Sequence, residues 1–281
     1  MITVTLKSRP YAFPTRWEEF TPAMGRTFLR MAHEMALFET GAVPFDEFTV
    51  TLTLAILGVD KVRKMTDEFS ENIYRLGEHL RFPYTVRTLE DGSRVADLTV
   101  CLSENLLPEI GGVRGYTFRR ENSGRMDCSL TAEQYIDALE LMQAWQNTKQ
   151  TSAPENLVRT LYPGAKRIQP DEAFAVYYNF RGILAWIRSI PAYALIFPPE
   201  ESGHPGSGRN PVGLASSIFT LAKAGYGDIN AIKDLPLFSY LGLLMQQTIE
   251  SIRTLAASGL KPTQISERLG LPIDLVLQHT K

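Results

Sequence analysis

Residues 171–190 read DEAFAVYYNFRGILAWIRSI, and the fold turns on how they are taken. Phe174, Tyr177, Phe180, Ile183, Leu184 and Ile187 recur at the steps of a helix face. So many large apolar side chains at that spacing predict the central core helix of a helical protein. Downstream, residues 198–211 (PPEESGHPGSGRNP) hold too much Pro and Gly for regular structure and read as a mobile surface loop. Two more helices follow, in 212–225 and 236–259. Upstream, SLTAEQYIDALELMQAWQ (129–146) reads as a helix capped by Ser129 or Thr131, with Glu133 in its first turn. A polar linker, NTKQTSAPEN (147–156), joins it to LVRTLYPG (157–164).

The N-terminal third is also helical. ITVTL (2–6) alternates as a short strand, and Pro10 and Pro14 then break the chain. In residues 21–38, Thr21 is placed to cap, Pro22 takes the first helical position, and Met24, Phe28, Met31, Met35 and Phe38 form one stripe. Residues 45–58 (FDEFTVTLTLAILG) alternate like a strand but begin like a helix; the expectation is a buried helix. Residues 67–82 form another. From residue 82 the character changes, because Asp91-Gly92 between two β-rich runs signals a hairpin. The fold class is therefore mainly α: a helical, bundle-like body with a small inserted β-hairpin element and a C-terminal helix-turn-helix-like pair. The segments are 1–81, 82–128, 129–257 and 258–281, forming one domain or several.

Bulk properties narrow the function. At 281 residues with 44% hydrophobic and 21% charged residues, the chain has the composition of a soluble globular protein. A net charge of −2 offers no global attraction to nucleic acid. Cys101 and Cys128 do not make a disulfide framework and read as reduced thiols. No secretory signal and no membrane-spanning apolar run is visible, so the expected location is the cytoplasm.

Known catalytic patterns are missing. His33 begins a zinc-protease phrase, but Leu37 stands where the second histidine would face the same metal. The Gly-rich loop at 202–211 lacks the Lys and Ser/Thr of a phosphate-binding loop, and neither a dinucleotide fingerprint nor a nucleophile elbow occurs. No catalytic, cofactor-binding or metal residue is assigned, and no cofactor is expected. An enzyme would need a site assembled from distant residues, for instance beneath the 198–211 loop as a lid.

The terminal stretch 260–281, LKPTQISERLGLPIDLVLQHTK, fits a helix-turn-helix: Ile265, Leu269 and Val276 face inward, Ser266 is small at the crossing, and Gly270 allows the turn. A DNA-reading helix would offer its outward residues to base edges. Here those include Ile273, Asp274, Leu277 and Gln278, which bring no positive charge, so protein docking is favoured over DNA. The candidate interaction surface is Ile273, Leu277 and Gln278, together with Arg114, Arg119, Arg120 and Arg125 from the Arg-rich segment 104–126. Pro262 to Lys281 used together with those arginines give a DNA-binding regulator as the alternative reading.

Ordered phrases run through residues 14–197. RWEEFTPAMGRTFLRM, CSLTAEQYIDALELM, LVRTLYPG and AVYYNFRGILAWI rest on Trp17, Thr21, Leu130, Thr131, Tyr135, Leu161 and Tyr162. In this order they resemble helical proteins encoded in the tail-gene regions of bacterial prophages. Phe20 stands where that pattern has Leu. The resemblance implies a non-enzymatic interaction or assembly protein, a tail component or tail-assembly factor, with a protein partner or self-association and no membrane. It carries no catalytic residue.

Overall fold

A computed structural model describes residues 2–6, 9–37, 45–59, 66–80, 82, 85–97, 101–121, 123–198 and 211–280. The chain is mainly α: the described residues are 60% helical, with eleven helices, and the sheets among them are all two-stranded and antiparallel. In chain order these are β1 (Ile2–Leu6), β2 (Arg9–Phe13), α1 (Pro22–Leu37), α2 (Phe45–Ile56), α3 (Asp67–Gly77), β3 (Thr85–Thr88), β4 (Arg94–Asp97), β5 (Glu109–Ile110), β6 (Val113–Arg114), β7 (Phe118–Arg120), β8 (Met126–Cys128), α4 (Ala132–Thr148), α5 (Ala153–Leu161), α6 (Pro170–Ser189), α7 (Pro211–Lys223), α8 (Ile229–Lys233), α9 (Leu237–Ala257), α10 (Pro262–Leu269) and α11 (Ile273–His279). The side chains of His33 and Met35, residue Phe38, and the Gly-rich loop at 199–210 lie outside the described residues.

Two compact units divide the chain: Met1–Gly115 with Tyr162–Ala185, and Tyr116–Leu161 with Trp186–Lys281. In the first, the expected lone strand is a hairpin, since β2 pairs with β1 and sets Pro10 opposite Thr5. A two-stranded ribbon leaves one edge of each strand unpaired, so a residue without an N–H is tolerated there. Thr21 caps α1 as expected, accepting from Met24 N–H at 3.2 Å. Trp17 stands edge-on to Phe20, Phe28 and Phe82, with centroids 5.1 to 5.3 Å apart. Gly25 lets α1 approach the 101–108 segment, where an added Cβ would lie 2.8 Å from Leu106 Cβ.

The ambiguous 45–58 stretch is helical, as α2. Thr49, Leu52, Thr53, Ile56 and Leu57 are buried at helical steps, and the Thr53 hydroxyl donates to Thr49 C=O at 2.7 Å. Thr49 and Thr53 therefore belong to a packing face, and Gly77 of α3 sits directly on Thr49. The Asp91-Gly92 hairpin forms between β3 and β4 with Gly92 in the left-handed region, the geometry of a turn followed by a bulge. The Arg-rich segment expected to be one loop instead forms two further hairpins, β5–β6 and β7–β8.

On α6, Tyr177, Phe180, Ile183, Leu184 and Ile187 are buried as the spacing predicts, together with Ala173 and Val176, while Phe174 is half-buried. Asn179 lies fully buried among them. Its Oδ1 accepts from Leu106 N–H at 3.1 Å, and its Nδ2 donates to Asn105 Oδ1 at 2.7 Å. Asn105 Oδ1 also accepts from Leu107 N–H, and the Tyr162 hydroxyl donates to Leu107 C=O at 2.6 Å. This network ties the irregular 101–108 segment to α6 where no regular secondary structure would satisfy its backbone.

In the second unit, Thr131 caps α4 in a reciprocal capping box with Gln134. The expected 147–156 linker is half helix, because α5 begins at Ala153 with Pro154 in its first turn, where a missing N–H costs nothing. Backbone bonds from Ala132 N–H to Leu235 C=O and from Leu237 N–H to Leu130 C=O hold the start of α4 against the start of α9. Tyr135, Leu139, Leu157, Leu161, Leu221, Ile232, Tyr240 and Leu244 fill the core between α4, α5, α7, α8 and α9. Each such buried side chain contributes about 1.5–3 kcal/mol relative to exposure.

Candidate functional site

The C-terminal pair packs its inner face into a buried cluster. Leu195, Ile252, Ile265, Leu271 and Val276 form one buried cluster, with Met245, Ile249, Leu269 and Leu275 packed against it. Gly270 closes α10 at φ 64°, and the Ser266 hydroxyl donates to Leu271 C=O at 2.6 Å, which fixes the turn. The inward residues read from the sequence, Ile265, Leu269 and Val276, all join this cluster. Outward, Ile273 and Leu277 remain 39% and 44% exposed one helical turn apart, and Asp274 and Gln278 are exposed beside them.

The four arginines are not brought onto one hairpin. Arg114 lies on β6 in the first unit, whereas Arg119, Arg120 and Arg125 belong to the β7–β8 hairpin of the second. Arg119 Nε donates to Asp127 Oδ2 at 3.1 Å, and that hairpin also carries Glu121, so its local positive charge is small.

A cleft that sequence reading missed opens between α4, α7 and α8. It measures about 200 Å³ and is lined by Glu133, Ile136, Asp137, Glu140, Ile218, Phe219, Ile229 and Lys233. Lys233 Nζ donates to Glu133 Oε1 at 2.8 Å, and this bond holds the Lys233 ammonium above its ordinary pKa. The Asp137 carboxyl is raised from its ordinary pKa, first because neighbouring protein desolvates it and second because the Glu133 carboxylate repels its charge; Lys233 opposes the shift. A broader groove of about 430 Å³ lies between α9 and α10, lined by Gln247, Glu250, Ser251, Thr254, Leu255 and Leu269. The Tyr226 hydroxyl donates to Glu250 in the same unit.

Cys101 is exposed and Cys128 half-buried. Among the described residues, no group of three His, Cys, Asp or Glu side chains is placed to hold a metal ion. No described helix is long and apolar enough to cross a membrane. Neither a protein-family model, nor a curated protein, nor a solved structure matches the chain.

Proposed function

We propose that the chain is a non-enzymatic interaction or assembly protein of prophage or mobile-element type, a tail component or tail-assembly factor in the cytoplasm or in the particle, which docks another protein through α11. The observation that carries this reading is the exposed pair Ile273 and Leu277 on a helix whose inner face is locked into a buried cluster. Preorganised apolar knobs lose little entropy on binding. Covering the pair would contribute about 1 kcal/mol per side chain, a fraction of the roughly 1.5–3 kcal/mol of full burial. The ordered phrases of residues 14–197 support the prophage assignment.

A photo-crosslinking amino acid at position 277, introduced in cells that express the natural gene neighbourhood, tests the docking face. A discrete adduct at 277 that is absent at exposed Thr263 is expected. Equal adducts at both positions, or none at 277, would refute it.

The bihelical geometry of α10 and α11 favours DNA binding as the second reading. Among the described residues from 250 to 280, Arg253, Lys261 and Arg268 are balanced by Glu250, Glu267 and Asp274, giving a formal charge of zero with His neutral. Anisotropy of fluorescent duplex DNA separates the two. The docking reading expects no binding at low salt, whereas salt-sensitive binding that falls when the four arginines become Ala would establish the regulator.

A further inference from the structure

Phe219 is 58% exposed, more than Ile229, Ile273 or Leu277, the other large apolar side chains on the described surface. It stands with Ile229, 37% exposed, at the cleft between α4, α7 and α8, while Ile136 and Ile218 form a buried floor. Glu133, Asp137 and Glu140 follow one another along α4 at steps of four and three, so one face of that helix presents all three carboxylates to the cleft. Lys233 is the one lining cation, and it is bonded to Glu133. Three carboxylates against one ammonium leave the rim at a formal −2. Desolvation by neighbouring protein first, and the Glu133 carboxylate second, raise the proton affinity of Asp137 at this rim.

We propose that this cleft docks an amphipathic helix of a partner protein that inserts apolar side chains one turn apart and carries Lys or Arg beside them. At about 200 Å³ the cleft is smaller than the roughly 300–1,000 Å³ of small-molecule sites, so it suits side-chain anchors better than a whole ligand. Its walls are helices, which makes helix-in-groove docking the matching mode. Two exposed apolar walls call for apolar anchors, and the −2 rim calls for cationic flanks. A second copy fits poorly, because its own exposed pair on α11 flanks Asp274, which would meet the acidic rim. The site is separate from α11 and does not depend on the docking role given to that helix.

The test uses the full chain and a fluorescein-labelled amphipathic peptide of Leu and Lys, roughly 18 residues or five turns long. A twin with Glu for Lys serves as control, and anisotropy is the readout. The Lys peptide is expected to bind in a salt-sensitive way, and the Glu twin at least about tenfold more weakly. Asp137→Lys/Glu140→Lys is expected to weaken the Lys peptide by about tenfold or more, and Phe219→Ser to do so with the charges intact. Far-UV circular dichroism checks folding, and the charge-reversal variant changes only exposed positions, so it stands if Phe219→Ser does not fold. No binding to the wild-type chain at low salt, equal binding of the twin, or unchanged binding by folded variants overturns the proposal. Sedimentation showing a dimer that Phe219→Ser dissolves would give the cleft to a second copy and overturn it as well.

Discussion

Replacing Asn179 with Leu removes a buried polar group while keeping the branched shape and heavy-atom count of the side chain. Two hydrogen bonds are lost at least, the one from Leu106 N–H at 3.1 Å and the one to Asn105 Oδ1 at 2.7 Å. At a net of about 1 kcal/mol each they contribute about 2 kcal/mol, and the buried Leu106 N–H left without this acceptor adds about 1–3 kcal/mol. The added apolar surface of Leu returns about 1 kcal/mol. The expected loss is therefore about 2–4 kcal/mol, and Asn179→Ala should cost more because it also opens a cavity. Urea unfolding is the assay, in a background where Trp145 and Trp186 are Phe so that Trp17, which lies in the same unit as Asn179, is the one tryptophan reporter. With a slope of about 2 kcal/mol per molar urea, the midpoint should fall by about 1–2 M. A shift below about 0.3 M at unchanged slope would refute the network as a source of stability.

Three further outcomes are expected. Gly77→Ala should cost about 1–3 kcal/mol by overpacking against Thr49 Cγ2, and Thr49→Ser should recover part of that in a double-mutant cycle; additive costs would refute the contact. Gly270→Ala should destabilise the C-terminal pair by about 1 kcal/mol through its left-handed φ of 64°, seen as faster amide exchange in α10 and α11 and not in α4; unchanged exchange would refute it. Burial pushes the Cys128 thiol up to about 11, so at pH 8 a disulfide reagent should label exposed Cys101 first and Cys128 slowly. The slow phase should quicken as pH rises toward 11. Because the unfolded thiol ionises from about 8.5, the stability contributed by keeping Cys128 protonated is lost across that same rise; one fast phase for both thiols at pH 8 would refute the burial.

What was legible in the chain was whatever local chemistry states by itself. Periodic apolar residues mark α1, α4, α6 and α9, Thr21 and Thr131 mark caps, and Gly270 marks the terminal turn. Local signals misled where a residue has two structural uses. Pro10 reads as a breaker yet fits a ribbon edge, and Pro154 reads as a linker residue yet opens α5. In α2 the β-branched alternation alone suggests a strand, but the helix-like start carries the expectation of a buried helix, and that helix forms with Thr49 and Thr53 on its packed face. Asn179 gave no signal, since a lone Asn in an apolar helix acquires meaning only from Asn105, 74 residues earlier.

The same logic separates the two candidate surfaces. Ile273 and Leu277 lie a turn apart on one short helix, so their outward face could be read from spacing once Val276 was set inward. The cleft joins a carboxylate face of α4, which alone looks like a solvated helix surface, to Phe219 on α7 and Ile229 on α8. Glu133, Asp137 and Glu140 are ordinary as a stripe, and Phe219 is ordinary within an apolar run. Held together, they set exposed apolar surface beside uncompensated negative charge. An exposed apolar patch costs solvation until something covers it, and an acidic rim selects the charge of what does. Disrupting either feature alone should therefore weaken the binding of a basic amphipathic helix, and doing so on folded protein distinguishes a recognition site from a surface that is merely acidic.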